Sequence, residues 1–349
     1  LFSGLFIGPT SQAPRMDESR PDMLEEMEIA LAQMPPRGAD TPPWLVDRLF
    51  RNLLVDLTGN THRAELCIDK MYSPDGPAGR LGLVEFRAFE MPPHPRMSAA
   101  QALIIRGLLT WFWEEPSNLP LTHWGRDLHD KFLLPHYCWQ DFRKVLAELS
   151  TALGVTFDPA WFNAQHDFRF PLAGRTVVEG VEIELRTALE PWLVLGEEGS
   201  SSGTVRYVDS SVERLQVSID KPLPEGTALT VNGVEVPLLH GGGSTWFAGV
   251  RFRAWQPASC LHPTIPPHAP LVFDIVDRET GRSLGGCTYR TYHPGGRAPE
   301  TRPVNALEAE GRLLARFDPM AHTPGRIDLR SAWSHPQGAA TLDLRKMPF

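Results

Sequence analysis

Hydrophobic residues recur at helical spacing through the first half of the chain. Apolar positions three or four residues apart predict helices over residues 21–34, 43–56, 98–113 and 139–153. The helix over 98–113 is apolar almost all round, so we expect it to be buried. Ser98 followed by Gln101 predicts a capping box at its start. Residues 1–8 predict a short strand before the first helix.

Two further segments alternate polar and apolar side chains, which predicts a β-strand over 61–69 and another over 82–90. Charged side chains line one face of each strand. On these faces lie Arg63, Glu65, Cys67 and Asp69 in the first strand, and Glu85 and Arg87 in the second. If the strands are neighbours, these side chains converge within about 5–8 Å. The charged faces are therefore candidates for the floor of an active site.

Two readings of this charged pair of strands remain open. Glutamates there could bind Mg²⁺, which prefers oxygen ligands, and arginines could hold a phosphate through paired hydrogen bonds. The alternative is a lattice of ion pairs that satisfies itself on a solvated sheet face. Unpaired buried charges are costly, so either reading requires that the charges meet water, partners or a metal.

Helical spacing fades from about residue 175, and short strands separated by turn residues take over. Strands are predicted within the ranges 204–220, 228–236, 246–255, 271–276 and 283–291. Asn232-Gly233 is typical of a type I′ hairpin turn. The pattern predicts an α+β protein whose second part, over 176–320, is an all-β domain resembling a sandwich. Residues 321–349 are rich in Pro, Gly and His and predict a loosely ordered tail.

Composition limits the binding partners and the cellular compartment that we expect for this chain. The formal net charge of −8 argues against broad nucleic-acid binding. No apolar run approaches the roughly 18 residues needed to span a membrane, so no membrane partner is expected. Four cysteines without a CxxC pair favour a cytoplasmic protein. The apolar start lacks the basic region of a signal peptide, and we expect the chain to be a fragment whose upstream part is missing.

A second candidate for chemistry lies near Cys260. His262 and His268 follow it in a proline-rich loop, and the three residues could bind a metal or form a Cys–His nucleophile pair. Cys287 is the other thiol considered for such a role. The alternative is an ordinary structural loop, because no spacing identifies a further ligand or an orienting acid.

The order of motifs in the first half resembles the C-terminal half of the catalytic domain of the glutamine synthetase and glutamate–cysteine ligase superfamily. That superfamily carries a polar loop ending in arginine, an Asn-Arg-Ser strand, an Arg-x-Glu-x-Arg strand and a long helix. The matching segments are Gly8–Arg15, Asn60–Glu65, Val84–Pro92 and the helix over 98–113. The resemblance implies that residues 1–175 form part of a catalytic region with an antiparallel sheet and helices.

The resemblance also implies roles for single residues. Glu85 matches a metal-binding glutamate, and Arg87 matches the arginine beside it that contacts phosphate or substrate. Arg63 matches a nucleotide-phosphate contact, and Arg15 matches the loop arginine near the substrate carboxylate. Three neighbouring residues join the substrate- or nucleotide-binding set, namely His62, Glu65 and Glu90. The chain departs from the motifs where Thr61-His62 separates Asn60 from Arg63, and over 88–90.

Further segments, including Arg206–Gln216 and Cys260–Pro266, extend the similarity. With them, nearly the whole chain resembles a bacterial amidoligase family of unknown function. In that family the region lies downstream of a transglutaminase-like domain in one long polypeptide, which would then be a partner. The resemblance implies a carboxylate–amine ligase that uses ATP and Mg²⁺, forms an acyl phosphate and acts on a peptide or amino-acid-type substrate. The rival interpretation is a non-catalytic region that binds a peptide or protein.

Overall fold

The computed structural model describes residues 2–8, 24–55, 64–72, 81–117, 119–200, 203–292, 298–331 and 339–346. Within these ranges the protein is an α+β structure, which confirms the predicted class. The chain forms two compact units. The first comprises the residues up to Phe132 together with Tyr137–Arg169, and the second comprises Leu133–His136 together with the residues from Phe170 onward.

Most of the helices belong to the first unit. The α-helices of the described residues are α1 (Leu24–Ala32), α2 (Pro43–Phe50), α3 (Asp69–Tyr72), α4 (Pro95–Glu114), α5 (Leu128–Leu133), α6 (Pro135–Leu153), α7 (Asn163–Arg169) and α8 (Ala306–Leu314). The first unit also contains the short strands β1 (Leu66–Cys67) and β2 (Glu85–Phe86). None of the helices in the described part of the chain has both the length and the apolar character needed to cross a membrane.

An aromatic cluster forms the centre of the first unit. The ring of Phe142 on α6 lies 5.5 Å from Phe6 and 4.8 Å from Phe162, measured between centroids. All three rings are almost completely buried. Offset and edge-to-face aromatic pairs stabilise such a core beyond the area they bury. The cluster therefore holds the start of the chain against α6.

The strand predicted over residues 1–8 is wrong. Phe2–Leu5 forms a 3₁₀ helix, and the N–H groups of Phe6 and Ile7 both donate to the carbonyl oxygen of Ser3. Local hydrogen bonds thus replace those of a strand. Three consecutive residues, Leu5–Ile7, are all buried, a burial pattern that a tight turn permits and that an alternating half-buried strand does not.

The expectation that α4 is buried is also wrong. Its buried positions form one narrow stripe of Met97, Gln101, Ile104 and Gly107. Trp113 is 78% exposed, and Leu109 and Phe112 are exposed as well. The helix begins at Pro95 rather than at Ser98, and the ring Nδ1 of His94 caps it by accepting from the Arg96 N–H at 3.2 Å. Proline suits the first helical position because it has no N–H to satisfy.

Two buried glutamines connect α4 with α7. The side chain of Gln101 donates to Gln165 at 3.2 Å, and Gln165 donates to the carbonyl oxygen of Leu5 at 2.7 Å. Buried polar groups in proteins are normally satisfied in this way. The pair positions α7, the helix that ends at Arg169.

The strands of the second unit form two larger sheets and a separate ribbon. They are β3 (Leu172–Val178), β4 (Val181–Thr187), β5 (Leu193–Ser200), β6 (Gly203–Asp209), β7 (Val212–Ile219), β8 (Thr227–Val231), β9 (Val234–Glu235), β10 (Leu239–Gly242), β11 (Thr245–Arg253), β12 (Leu271–Asp277), β13 (Ser283–Tyr289), β14 (Phe317–Asp318) and β15 (Thr341–Asp343). One sheet has the order β10-β11-β7-β4-β3, with β15 pairing β11; the second is β14-β13-β12-β8-β9; and β5 pairs β6.

One continuous hydrophobic core joins the two larger sheets. It includes Val217 and Val250 from the first sheet and Phe273 and Ile275 from the second, all fully buried. Two sheets that share one core in this way form a sandwich-like arrangement. The segment predicted to be all-β also contains α8, whose N–H at Glu308 is capped by the side chain of Asn305.

The hairpin predicted at Asn232-Gly233 is confirmed. Strands β8 and β9 pair directly across it, and the φ angles of Asn232 and Gly233 are 48° and 77°. A type I′ turn needs positive φ at both central residues, and Asn followed by Gly tolerates this best.

The segment predicted to be a loosely ordered tail contributes to the core in its described part. Strand β15 pairs with β11 in parallel, with Leu342 opposite Val250. Leu342 and Leu344 are both buried. Their apolar side chains lose contact with water there, which offsets the cost of ordering the backbone.

Paired charges cover one face of the β11-β7 strand pair. Arg214 on β7 lies directly opposite Arg251 on β11, and like charges in that position repel each other. Glu190 lies between them: its Oε2 accepts from Arg214 Nε at 3.1 Å and its Oε1 accepts from Arg251 Nε at 2.8 Å. The Glu190 side chain is only 4% exposed. This carboxylate is shared by the two opposed arginines, and Asp343 adds a second anion 3.6 Å from Arg251.

We predict that Glu190→Gln destabilises the protein by about 3–5 kcal/mol, because it leaves two opposed guanidinium groups without their shared anion. The free energy of unfolding in urea measures the change. Glu225→Gln, at an exposed turn position, is the matched control and should alter stability by less than about 0.5 kcal/mol. Equal stability of the two variants would contradict the role assigned to Glu190.

Candidate functional site

The two segments that were predicted to be charged strands are neighbours in the structure. β1 and β2 pair antiparallel, with Leu66 opposite Phe86 and Cys67 opposite Glu85. The N–H of Arg87 donates to the carbonyl oxygen of Glu65 at 2.8 Å. Opposed residues of an antiparallel pair share a face of the sheet. Glu65, Cys67, Glu85 and Arg87 therefore belong to one face.

The strands themselves are shorter than the sequence predicted. Each is two residues long in the described part of the chain. The first cannot continue to Asp69, because Asp69 begins α3. Since α3 turns the chain at this point, it brings Lys70 to the edge of the charged face.

Glu85 is the centre of this charged group. Its Oε2 atom accepts from Arg87 Nη2 at 3.1 Å and lies 3.5 Å from Lys70 Nζ. The hydrogen bond from Arg87 lowers the pKa of the Glu85 carboxyl, and Lys70 adds to that effect. The side chains of Lys70, Glu85 and Arg87 are 55%, 39% and 13% exposed. Glu85 is thus ionised at neutral pH, accessible to solvent and paired with two cations.

The thiol of Cys67, opposite Glu85, is weakly reactive. Cys67 is buried, and burial raises the pKa of its thiol, although a backbone hydrogen bond with Asp69 acts against that change. A thiol whose pKa lies above its ordinary range is protonated and weakly nucleophilic at neutral pH. Cys67 is therefore a buried residue of the charged face and a poor nucleophile.

Glu90 is held at the end of the same segment. Its carboxylate forms an ion pair with the guanidinium of Arg169, and its backbone N–H donates to the carbonyl oxygen of Phe6 at 2.9 Å. Burial lowers the pKa of Arg169 to about 10. That value still lies well above neutral pH, so the Arg169 guanidinium is charged. The pair anchors the chain three residues beyond Arg87.

The structure brings together part of the predicted site. Glu65, Glu85 and Arg87 share one face, and Glu90 lies just beyond it. Three predicted residues, Arg15, His62 and Arg63, lie outside the described residues. Lys70 was missed, because the sequence pattern placed it after the end of a longer strand. Asp69 could have indicated that a helix begins there and contains Lys70, since acidic residues are favoured in the first turn of a helix.

The described residues do not by themselves fit a magnesium ion. No group of three or more His, Cys, Asp or Glu side chains in the described part of the chain could hold a metal. Glu85 is the predicted ligand, yet two cations approach its Oε2 atom. A divalent ion beside that oxygen would meet their repulsion. In this arrangement Glu85 acts as the partner of Lys70 and Arg87.

The second candidate site, around Cys260, is organised by a buried arginine. Arg253 donates to the carbonyl oxygen of Ile265 at 2.8 Å and lies 3.9 Å from the Cys260 sulfur. His268 accepts from the backbone N–H of Arg253 at 3.2 Å. These contacts hold the loop to β11. Burial raises the pKa of the other thiol, Cys287, to about 12, which makes it a poor nucleophile.

Comparison with known proteins gives one match. The model of the family described as "Putative amidoligase enzyme (DUF2126)" matches residues 1–345. Searches of the curated proteins and of the solved structures give no match to the chain. The family match extends over both compact units and includes the charged face of β1 and β2.

We predict that Arg169→Gln destabilises the protein by about 3–5 kcal/mol, because it leaves the Glu90 carboxylate in a largely buried position without its cation. Chemical unfolding measures the difference. The exposed Arg106 on α4 supplies the control, since Arg106→Gln should stay within about 0.5 kcal/mol of the parent. A loss no larger than the control's would argue against an anchoring role for the Glu90–Arg169 pair.

A second prediction concerns pH. Because the pKa of Glu85 is lowered in the folded protein, its ion pairs stabilise the fold fully above the ordinary carboxyl pKa of 4.5 and progressively less as the pH falls through the lowered value. The melting temperature of Glu85→Gln should lie below that of the parent at pH 7, and the two should converge in acid. A difference that stays constant from pH 7 to the acid limit of folding would contradict this coupling.

Proposed function

Because the chain belongs to the family described as "Putative amidoligase enzyme (DUF2126)", we propose that it forms part of an ATP-dependent carboxylate–amine ligase. ATP transfers its terminal phosphoryl group to a substrate carboxylate, which gives an acyl phosphate and ADP. An amine then attacks the acyl carbon, phosphate leaves, and an amide or isopeptide bond forms. The substrate class is a peptide or an amino-acid derivative.

The observation that carries the proposal is the charged face of β1 and β2. Phosphoryl transfer requires positioned cations that offset charge on the transferring group. Arg87 has a mostly buried side chain, and its backbone N–H is fixed to Glu65. Lys70 is the solvent-accessible cation beside it. Together they supply the donors that anionic substrate oxygens need.

ATP and Mg²⁺ are the proposed cosubstrate and cofactor through the resemblance in the sequence. Mg²⁺, where bound, would neutralise charge on the phosphate. The described residues do not provide its ligand set, so no step is assigned to Glu85 as a ligand. Arg15, His62, Arg63 and Glu65 are the further residues proposed to contact nucleotide or substrate. A transglutaminase-like domain of the same polypeptide is the proposed partner.

A non-catalytic binding role is the second candidate, and the ribbon of β5 and β6 favours it. The side chains of Leu193, Val205 and Tyr207 on this ribbon are exposed. Apart from their mutual pairing, β5 and β6 join neither larger sheet among the described residues. An extended peptide can add to an open strand edge through backbone hydrogen bonds. Its aliphatic side chains would then cover the exposed positions.

The ligase proposal predicts that the double variant Glu85→Gln, Arg87→Gln loses at least about 100-fold in turnover, because an electrostatic contact in the reacting complex is removed. The assay follows ADP release that depends on both a carboxylate and an amine, together with amide formation, in the natural full-length polypeptide. Arg106→Gln is the control and should retain parental turnover. Undiminished turnover of the double variant would refute the site assignment.

Calorimetry separates the two candidate functions. Binding of Mg²⁺–ATP or its non-hydrolysable analogue to the full-length polypeptide supports the ligase. Binding of extended peptides without any nucleotide binding supports the alternative. Tyr207→Ser should weaken peptide binding in that case and leave nucleotide binding unchanged.

A further inference from the structure

The charged face of β1 and β2 holds more than the predicted glutamate and arginine. We propose that Lys70 and Arg87 form an anion clamp in which the Glu85 carboxylate is a displaceable resident. The ligand is an anionic oxygen of a phosphoryl group or a carboxylate that takes the place of Glu85. The clamp follows from the geometry alone, and only the origin of the anion in a substrate or nucleotide rests on the proposed function.

A single oxygen atom defines the clamp. Arg87 Nη2 and Lys70 Nζ both approach Glu85 Oε2, at 3.1 Å and 3.5 Å. An external anionic oxygen at the same point would contact both cations. Hydrogen bonds between charged donors and anionic oxygens are stronger than neutral ones. The existing contacts of Glu85 therefore mark a place where an anion is held.

Accessibility distinguishes this place from the buried ion pairs of the protein. Glu85 and Lys70 are both substantially exposed, whereas the side chain of Arg87 is mostly buried. Exposed ion pairs are weak, because water screens them and the side chains lose freedom when they pair. Glu85 can consequently turn to solvent and leave Arg87 in position. An incoming anion competes with a weak partner.

Backbone hydrogen bonds fix both sides of the clamp. The N–H of Leu81 donates to the carbonyl oxygen of Lys70 at 2.7 Å, and the N–H of Arg87 donates to the carbonyl oxygen of Glu65 at 2.8 Å. These two bonds fix the backbone of Lys70 on α3 and that of Arg87 next to β2. A site whose donors are already positioned loses less freedom when a ligand binds.

Other charges near the clamp set its strength. Glu65 lies across the ladder from Arg87, and Asp69 interacts with Cys67. These two carboxylates oppose an incoming anion, so we expect inorganic phosphate to bind with a dissociation constant on the order of millimolar. The clamp is thus suited to one oxygen-rich group of a larger ligand.

The clamp and the predicted metal site make opposite predictions for one substitution. If Glu85 occupies an anion clamp, Glu85→Gln removes the competing charge and strengthens phosphate binding. If Glu85 is a metal ligand, the same change weakens Mg²⁺ binding and gives phosphate no advantage. The sign of the effect therefore decides between them.

The test is a titration of the purified chain with inorganic phosphate, and separately with acetate, both without Mg²⁺, followed by calorimetry at constant ionic strength. Glu85→Gln should bind phosphate up to about fivefold more tightly than the parent, the range expected for loss of an exposed ion pair. Lys70→Met and Arg87→Met should each bind it about tenfold more weakly or not at all. Lys70→Arg should retain most of the affinity.

Controls keep the result interpretable. Near-ultraviolet circular dichroism checks the fold of each variant, and Lys70→Met tests the clamp if Arg87→Met fails to fold, because Lys70 is exposed. Tighter binding of phosphate than of acetate identifies a phosphoryl group as the ligand, and the reverse identifies a carboxylate. Unchanged or weaker phosphate binding by Glu85→Gln, or no binding by any variant, overturns the clamp. The predicted binding pattern without ligase turnover would uphold the clamp and reject the ligase.

Discussion

A carboxylate shared by two cations is the interaction on which the charged sheet faces of this protein depend. Glu190 joins Arg214 and Arg251, and Glu85 joins Lys70 and Arg87 in the other unit. In each case one anion lies between cations that would otherwise repel each other. At Glu190 the sheet brings the cations together, because Arg214 and Arg251 lie opposite each other on neighbouring strands. At Glu85 the second cation, Lys70, comes from the short helix α3. In both clusters the shared carboxylate offsets the repulsion between the two cations.

Exposure determines what each of these groups can do. Glu190 is buried, so removing it would leave the buried Arg214 and the largely buried Arg251 without the carboxylate that they share. Glu85 is partly exposed, and water can replace either of its partners. The same arrangement of charges therefore stabilises the fold at Glu190 and leaves a place for exchange at Glu85. This difference is the physical basis for locating the candidate site on β1 and β2.

Sequence reasoning succeeded where the determining contacts are local. The hairpin at Asn232-Gly233 follows from the φ preferences of two residues, and alternation correctly predicted that Glu85 and Arg87 share a face. Sequence reasoning failed where contacts between residues distant in the sequence determine the structure. Glu190 reaches a partner 61 residues away, which no spacing rule predicts. For α4, apolar composition predicted burial, but only one stripe of the helix meets a neighbour in the first unit. Composition describes what a helix can bury, and packing decides what it does bury.

The cluster around Glu85 also shows why charge type alone is a poor guide to ligand type. A glutamate beside an arginine on a strand predicted a metal ligand and a phosphate contact as separate roles. The position of Lys70 changes the balance, because two cations on one carboxylate oxygen make that point attractive to anions and repulsive to Mg²⁺. A ligase must hold anionic oxygens of a phosphoryl donor or a carboxylate, and a clamp of two cations meets that need directly.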